Sequence, residues 1–203
     1  MKVIAIGRNY AAHALELNNA IPTKPVIFLK PDTAVLKDNK PFYIPAFSND
    51  VHYELELVLK ISKEGKHIAE KFAPNYYEEI GLGIDFTARD LQSELKAKGL
   101  PWELSKAFDN SAVVSNFLPK SNYQDLSDVK FELKKNGETK QLGHTANLLF
   151  SFDKIIAFVS QYITLKKGDI IFTGTPEGVG KVDQGDRLEA WLEGTQLLNF
   201  EIK

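Results

Sequence analysis

The chain contains no cysteine, which excludes disulfides, thiolate catalysis and every zinc or iron–sulfur site built on sulfur. An excess of charge of one sign is missing too. The 25 Lys and Arg stand against 27 Asp and Glu, a formal net charge of −2, with no basic stripe of the kind that grips phosphate backbones, so nucleic acid is not an expected partner. No apolar run approaches the length of a membrane span, and Met1 to Gly7 is a short strand-like run without the apolar region of a signal peptide. A soluble, cytoplasmic protein with no membrane partner is the expectation. No Pro/Ser-rich linker and no internal repeat divides the sequence, and 203 residues with 43% hydrophobic content are enough for one buried core. Residues 1–203 read as a single domain.

What is present is mostly strand. Asn136-Gly137 separates two alternating segments, 129–133 and 138–142, and is the strongest short-range hairpin signal. A second hairpin is expected at the C-terminus, where Asp186 to Leu192 and Gln196 to Ile202 flank Glu193-Gly194. Two helices stand out. Thr87 to Lys98 has Thr87 as N-cap, Asp90 in the capping-box position, and Gly99 and Pro101 as stop signals. Ser151 to Tyr162 carries Ile155, Ile156, Phe158, Val159 and Tyr162 as an apolar stripe for the core. Strands do not alternate with helices as a doubly wound sheet requires, so the fold class is α+β, β-rich, with a few peripheral helices.

Into this apolar background the sequence sets three carboxylates. Glu54 and Glu56 flank Leu55 and point to one face of a strand, roughly 6 to 7 Å apart; Asp85 ends a second apolar segment. Like charges on a buried face need a cation, a basic side chain or a proton. Side-chain oxygens on rigid elements suit a hard divalent ion, Mg²⁺ or Mn²⁺, with positions left for water and substrate. His13 and Glu16, spaced to share a face of a helical turn, form a base and the carboxylate that orients it. Arg89 and Gln92 lie one turn apart on the helix after Asp85, Lys106 follows Gly99-Leu100-Pro101-Trp102, and Lys30 precedes Pro31. Beside an acidic metal cluster, these residues are natural partners for substrate carboxylates and for developing negative charge.

The segment Gly174 to Lys181 invites a phosphate-loop reading and fails it. Counting back from Gly180-Lys181, the required glycine falls on Thr175, and Val182 follows the lysine. A tight turn there can still bring backbone N–H groups and the Thr175 hydroxyl to a bound acid.

Taken in order, Gly7-Arg8-Asn9-Tyr10 with His13 and Glu16, Lys30-Pro31, Glu54/Glu56, Asp85-Phe86-Thr87-Ala88-Arg89-Asp90, Lys106-Ala107-Phe108-Asp109 and Thr173-Gly174-Thr175-Pro176 resemble the fumarylacetoacetate hydrolase family, in its short acylpyruvase and oxaloacetate decarboxylase-like branch. The resemblance implies a mixed β-sandwich roll, a homodimer, and Mg²⁺ or Mn²⁺ at Glu54, Glu56 and Asp85. It also implies a lid carrying His13 and Glu16, and a pocket lined by Arg89, Gln92, Lys106, Lys30 and Thr175. One departure is Gly143-His144-Thr145-Ala146-Asn147, where relatives often carry Gly-Asn-Thr-Ser-Asp.

The activity so implied is C–C hydrolysis of a small 2-oxo acid of the acylpyruvate type, with His13, Glu16 and Lys106 catalytic. Oxaloacetate decarboxylation or 2-hydroxy-dienedioate isomerisation is the alternative on the same site. From another class, the alternative is a non-catalytic small-acid-binding domain with a structural metal.

Overall fold

The computed structural model describes residues 1–17 and 20–203. Val3–Gly7, Ile170–Phe172 and Leu55–Ile61 are almost unbroken runs of apolar residues, the pattern of strands covered on both faces. They lie side by side in the middle of the largest sheet, whose order is Val26–Lys30, Val3–Gly7, Ile170–Phe172, Leu55–Ile61, Tyr77–Asp85, Ala112–Val114 and Val35–Leu36, with Leu118–Pro119 also on Tyr77–Asp85. The sheet is mixed: Val3–Gly7 runs parallel to Ile170–Phe172, and Val35–Leu36 parallel to Ala112–Val114, while the other pairings are antiparallel.

A four-stranded antiparallel sheet, in the order Glu138–His144, Lys130–Lys135, Arg187–Leu192 and Thr195–Glu201, packs over one face. Its inward residues Phe131, Leu133, Leu188 and Phe200 join Leu57, Leu59, Leu82 and Ile84 in one apolar core. On the other side Val3, Ala5, Val58 and Phe172 form a smaller cluster. This is the β-rich sandwich expected. Gly83 is required where its strand faces this smaller cluster, because a Cβ there would lie 2.5 Å from the Phe172 ring and 2.8 Å from Val58 Cγ2.

Both hairpins form, and the left-handed turn residues are Asn136 and Gly137 in one and Glu193 and Gly194 in the other. Helix Phe152–Tyr162 is capped by the Ser151 hydroxyl, which accepts from Lys154 N. Its stripe is buried at Ile155, Ile156 and Val159, but Tyr162, expected in the core, is 64% exposed and packs edge-on against Phe158. No helix among the described residues is long and apolar enough to cross a membrane.

The helix after Asp85 needs correction. It spans Arg89–Ala97, and Thr87 does not cap it. Thr87 and Ala88 are extended and pair with His52 and Val51, in a three-stranded sheet of Gly180–Lys181, Val51–Tyr53 and Thr87–Ala88. Asp90 accepts from Ser48 Oγ at 2.6 Å and Asn49 N at 2.9 Å, and from Leu91 N of the helix's own first turn at 2.8 Å. Strand pairing to Val51–Tyr53 thus outcompetes the local capping box, and it sets the helix start beside the acids.

Candidate active site

Glu54 lies in the one-residue break between Val51–Tyr53 and Leu55–Ile61, so the expectation of one strand through both glutamates is corrected: the backbone leaves the small sheet for the large one there. The acids converge all the same. Glu56 pairs in register with Gly83, and Asp85 N donates to Glu54 O at 2.8 Å. One carboxylate oxygen from each of Glu54, Glu56 and Asp85 lies within 4.8 Å of the others, and all three residues are buried.

Basic groups close around two of the three. Lys106, at the end of the short helix Glu103–Lys106, places Nζ 2.7 Å from Glu54 Oε2, 2.8 Å from Asp85 Oδ2 and 2.5 Å from Thr87 Oγ1. Arg89 donates to Glu54 Oε1 at 2.5 Å and to Gln92 Oε1 at 2.6 Å. Lys30 Nζ donates to Ser111 O and Oγ, each at 3.0 Å, and approaches Asp85 Oδ1 to 2.6 Å. That last contact is coulombic, since its alignment leaves Asp85 Oδ1 without a hydrogen-bond donor. Burial opposes the charge on Glu54, yet Lys106, Arg89 and His13 together hold its carboxyl far below the usual range. Burial likewise works against the Lys106 ammonium, and Asp85 and Glu54 outweigh it and raise its pKa. For Lys30 burial wins over Asp85, and the pKa is lowered.

Glu56 is the exception. Its carboxylate accepts the Gly174 N–H at 2.6 Å and forms no ion pair with any described basic residue. Burial first, then Asp85 and Glu54, push its pKa well above the usual value. A buried carboxylate with no ion pair among the described residues, one of its oxygens within 4.8 Å of oxygens of Glu54 and Asp85, is what a hard cation would satisfy. The residues therefore fit a divalent ion.

His13 and Glu16 sit on the short helix Ala11–Glu16. His13 Nδ1 is 3.2 Å from Glu16 Oε2, and the other oxygen of Glu16 accepts the Gly178 N–H at 3.0 Å, docking this helix on the turn after Phe172. Gly174 needs its φ of 103° and its missing side chain, because a Cβ would lie 2.6 Å from that of Asn9. The Gly174 N–H, one of the groups expected to face a bound acid, is committed to Glu56. Thr175 does face the cavity.

All the expected site residues except Glu16 and Lys30 line this one cavity; those two stand behind His13 and Asp85. Four contributors escaped sequence reasoning. Thr87 holds Lys106, and it had been assigned to capping. Ser111 accepts from Lys30 and donates to Lys106 O at 2.9 Å. Gln141 accepts from Leu55 N at 2.8 Å and donates to Thr175 Oγ1 and Pro176 O, each at 2.9 Å, so it ties the acid-bearing strand to the Thr175 turn. Its signal lay in the hairpin register, which sets it opposite the inward Leu133. Arg8, within Gly7-Arg8-Asn9-Tyr10, lines the cavity as well.

The family description "Fumarylacetoacetate (FAA) hydrolase C-terminal" matches residues 2–202. Oxaloacetate tautomerase FAHD1, mitochondrial, of Bos taurus is 43% identical over 201 residues, covering 99% of this chain and 91% of that protein. Oxaloacetate decarboxylase, mitochondrial, of Dictyostelium discoideum is 42% identical over 203 residues, covering 99% and 93%. Among solved structures, fumarylpyruvate hydrolase from Pseudomonas aeruginosa in complex with Mn²⁺ and pyruvate superposes with a TM-score of 0.94 at 34% identity, covering all of this chain and 89% of that one. Motif order, sandwich fold and a buried acidic triad agree with these likenesses: the chain belongs to the fumarylacetoacetate hydrolase family of enzymes.

Proposed function

We propose that the protein is a divalent-metal-dependent hydrolase that cleaves the C–C bond of acylpyruvates, and that the same site interconverts the keto and enol forms of oxaloacetate. The observation that carries this is that His13, backed by Glu16, lines the same cavity as the three acids and Lys106. A cation held by Glu54, Glu56 and Asp85, Mg²⁺ or Mn²⁺, supplies when bound a Lewis acid for the carboxylate and 2-oxo oxygens of the substrate. Arg89, Gln92 and Thr175 orient the substrate carboxylate, while Lys30, expected beside them, acts from behind through Asp85. His13, steadied by Glu16, takes a proton from water as that water attacks the distal carbonyl carbon. The bond from that carbon to carbon 3 breaks, its electron pair passes to the pyruvate enolate, and Lys106 donates to the developing enolate oxygen. Return of the proton to carbon 3 gives pyruvate and a carboxylic acid.

The oxaloacetate reading needs the same base, acting on carbon 3 in place of water, and is favoured by the 43% identity to an oxaloacetate tautomerase over nearly the whole chain. A decarboxylation of oxaloacetate would pass through the same enolate. The family resemblance carries the expectation of a homodimer. The cytoplasm, expected from the sequence, and the mitochondrial compartment named for two relatives are both aqueous, and fractionation decides between them.

The test is turnover of acetylpyruvate, and ultraviolet decay of enol-oxaloacetate, with Mg²⁺, with Mn²⁺ and in EDTA. Both reactions should stop in EDTA. Metal-independent turnover refutes the mechanism, and a thermal shift with Mg²⁺ but no turnover of any 2-oxo acid would leave a binding domain with a structural metal.

A further inference from the structure

The turn after Ile170–Phe172 carries two threonines that use their hydroxyls differently. Thr173 Oγ1 donates to Leu57 O at 2.8 Å, so its hydrogen is spent on the backbone. Thr175 Oγ1, on a residue that lines the cavity, accepts from Gln141 Nε2 at 2.9 Å and donates to no described residue. Gln141 does not line the cavity; it is 1% exposed, and its amide sits only one way round. Its oxygen accepts the Leu55 N–H at 2.8 Å, and its nitrogen gives a second hydrogen to Pro176 O at 2.9 Å. A backbone N–H can only donate and a carbonyl can only accept, so the reversed amide would set donor against donor and acceptor against acceptor. With both amide hydrogens given away, the Thr175 oxygen acts as acceptor and its own hydrogen is left for a group in the cavity. Strand and turn have little room to part: at Gly178 a Cβ would lie 2.1 Å from Lys140 O, one residue before Gln141.

We propose that Gln141 is a positioning residue for substrate binding: it fixes the Thr175 hydroxyl as a hydrogen-bond donor to the carboxylate of a bound 2-oxo acid. This rests on the functional reading given above and adds to it a residue that never touches the substrate. A carboxylate only accepts, so a hydroxyl free to turn would present it with a lone pair part of the time. Gln141 removes that choice before the ligand arrives, which lowers the ordering cost of binding. Donation from the amide also polarises the hydroxyl and strengthens the bond it gives.

The experiment is a double-mutant cycle read by calorimetry of pyruvate binding to the Mn²⁺-loaded protein. Thr175→Val removes the hydroxyl and should weaken pyruvate about 10- to 100-fold, the loss of a charge-assisted hydrogen bond. Gln141→Met keeps the length of the side chain, removes its amide, and should weaken pyruvate about 3- to 10-fold. In the double variant the Gln141 substitution should cost nothing further, because no hydroxyl is left to aim. In acetylpyruvate hydrolysis Gln141→Met should raise KM by the same factor and leave kcat unchanged, the mark of a contact made equally in ground and transition states. A Gln141→Met protein that binds pyruvate like the parent, losses that multiply in the double variant, or a parent that binds no pyruvate would overturn the proposal. If acetylpyruvate is not hydrolysed, the functional reading fails separately and the pyruvate cycle still decides. If Gln141→Met does not fold, neutron diffraction from crystals of the parent with Mn²⁺ and pyruvate locates the Thr175 deuterium directly. It should lie toward the pyruvate carboxylate, and a deuterium turned toward Gln141 or elsewhere overturns the proposal.

Discussion

Replacing Glu56 by glutamine separates a cluster built for a cation from one that merely tolerates its charges. The carboxylate is 2% exposed, accepts one N–H from Gly174 at 2.6 Å, and has its pKa raised by burial and by Asp85 and Glu54. A folded-state pKa above the unfolded value means that the folded chain binds the proton more tightly. Stability without metal is then greatest below the ordinary value of 4.5 and declines as pH rises through the titration of Glu56. Glutamine keeps the shape and can still accept from Gly174, but brings no charge. In EDTA at neutral pH, Glu56→Gln should therefore be at least as stable as the parent, and its stability should lose that decline.

With metal the order reverses. An ion present at a hundredfold over its Kd stabilises the parent by about 2.7 kcal/mol, which for a domain of this size raises Tm by about 5 to 11 °C. The variant, with one anionic oxygen donor fewer, should keep only a small part of that rise. Differential scanning fluorimetry in EDTA, Mg²⁺ and Mn²⁺ between pH 5 and 8 measures both halves. A variant less stable than the parent in EDTA, or one with an undiminished metal shift, would refute the electrostatic account.

Substituting His13 by glutamine should lower kcat for acylpyruvate hydrolysis by about 10²- to 10⁴-fold while the metal-induced Tm shift stays as large as in the parent; steady-state assays beside fluorimetry check both. Gly143→Ala puts a Cβ 2.1 Å from the Phe131 ring, an overpacking that should cost about 1 to 3 kcal/mol in urea unfolding. Asp169 is buried and yet its pKa is lowered, because the Lys2 amine at 2.5 Å, Lys2 N at 2.8 Å and Lys166 N at 2.7 Å favour the carboxylate. A depressed folded-state pKa contributes stability above the ordinary value of 3.8 that is lost as pH falls below it, so Asp169→Asn should be less stable at pH 7 and less sensitive to acid below pH 4 than the parent.

The parts of the fold that were legible in the sequence are those fixed by short-range chemistry. Asn136-Gly137 and Glu193-Gly194 dictate left-handed turns, and Ser151 with its apolar stripe dictates a capped helix, because neighbours along the chain decide these outcomes. Thr87 was misread because the deciding partners are far away: Val51–Tyr53 pairs with its backbone and Lys106 with its hydroxyl. Tyr162 continues the helical period but falls beyond the edge of the packed face, which periodicity cannot see. In the site, the acids were legible because charge in an apolar run is conspicuous. Gln141 and Ser111 were not, since a neutral polar residue in a hairpin or loop looks solvated until the other strand is placed against it.

Charge in the buried cluster connects the metal fit to the binding of an anionic acid. Glu54 and Asp85 pair with Lys30, Lys106 and Arg89 while Glu56 stands beside them unpaired, so by formal count the buried cluster is neutral before any ion enters. A divalent cation among the acids leaves two positive charges in a region of low dielectric, where unbalanced charge is costly. A monoanionic 2-oxo acid cancels one of them. A dianion cancels both. The buried Glu56, with no ion-pair partner among the described residues, is unfavourable in the protein alone and is relieved when the ion binds. Metal and diacid should therefore bind cooperatively: adding Mn²⁺ should tighten 2-oxoglutarate more than 5-methyl-2-oxohexanoate, and by linkage 2-oxoglutarate should tighten Mn²⁺ by the same factor. Calorimetric titrations in both orders measure the two factors, and equal enhancement for the two acids would show that the second carboxylate does not sense the charge of the ion.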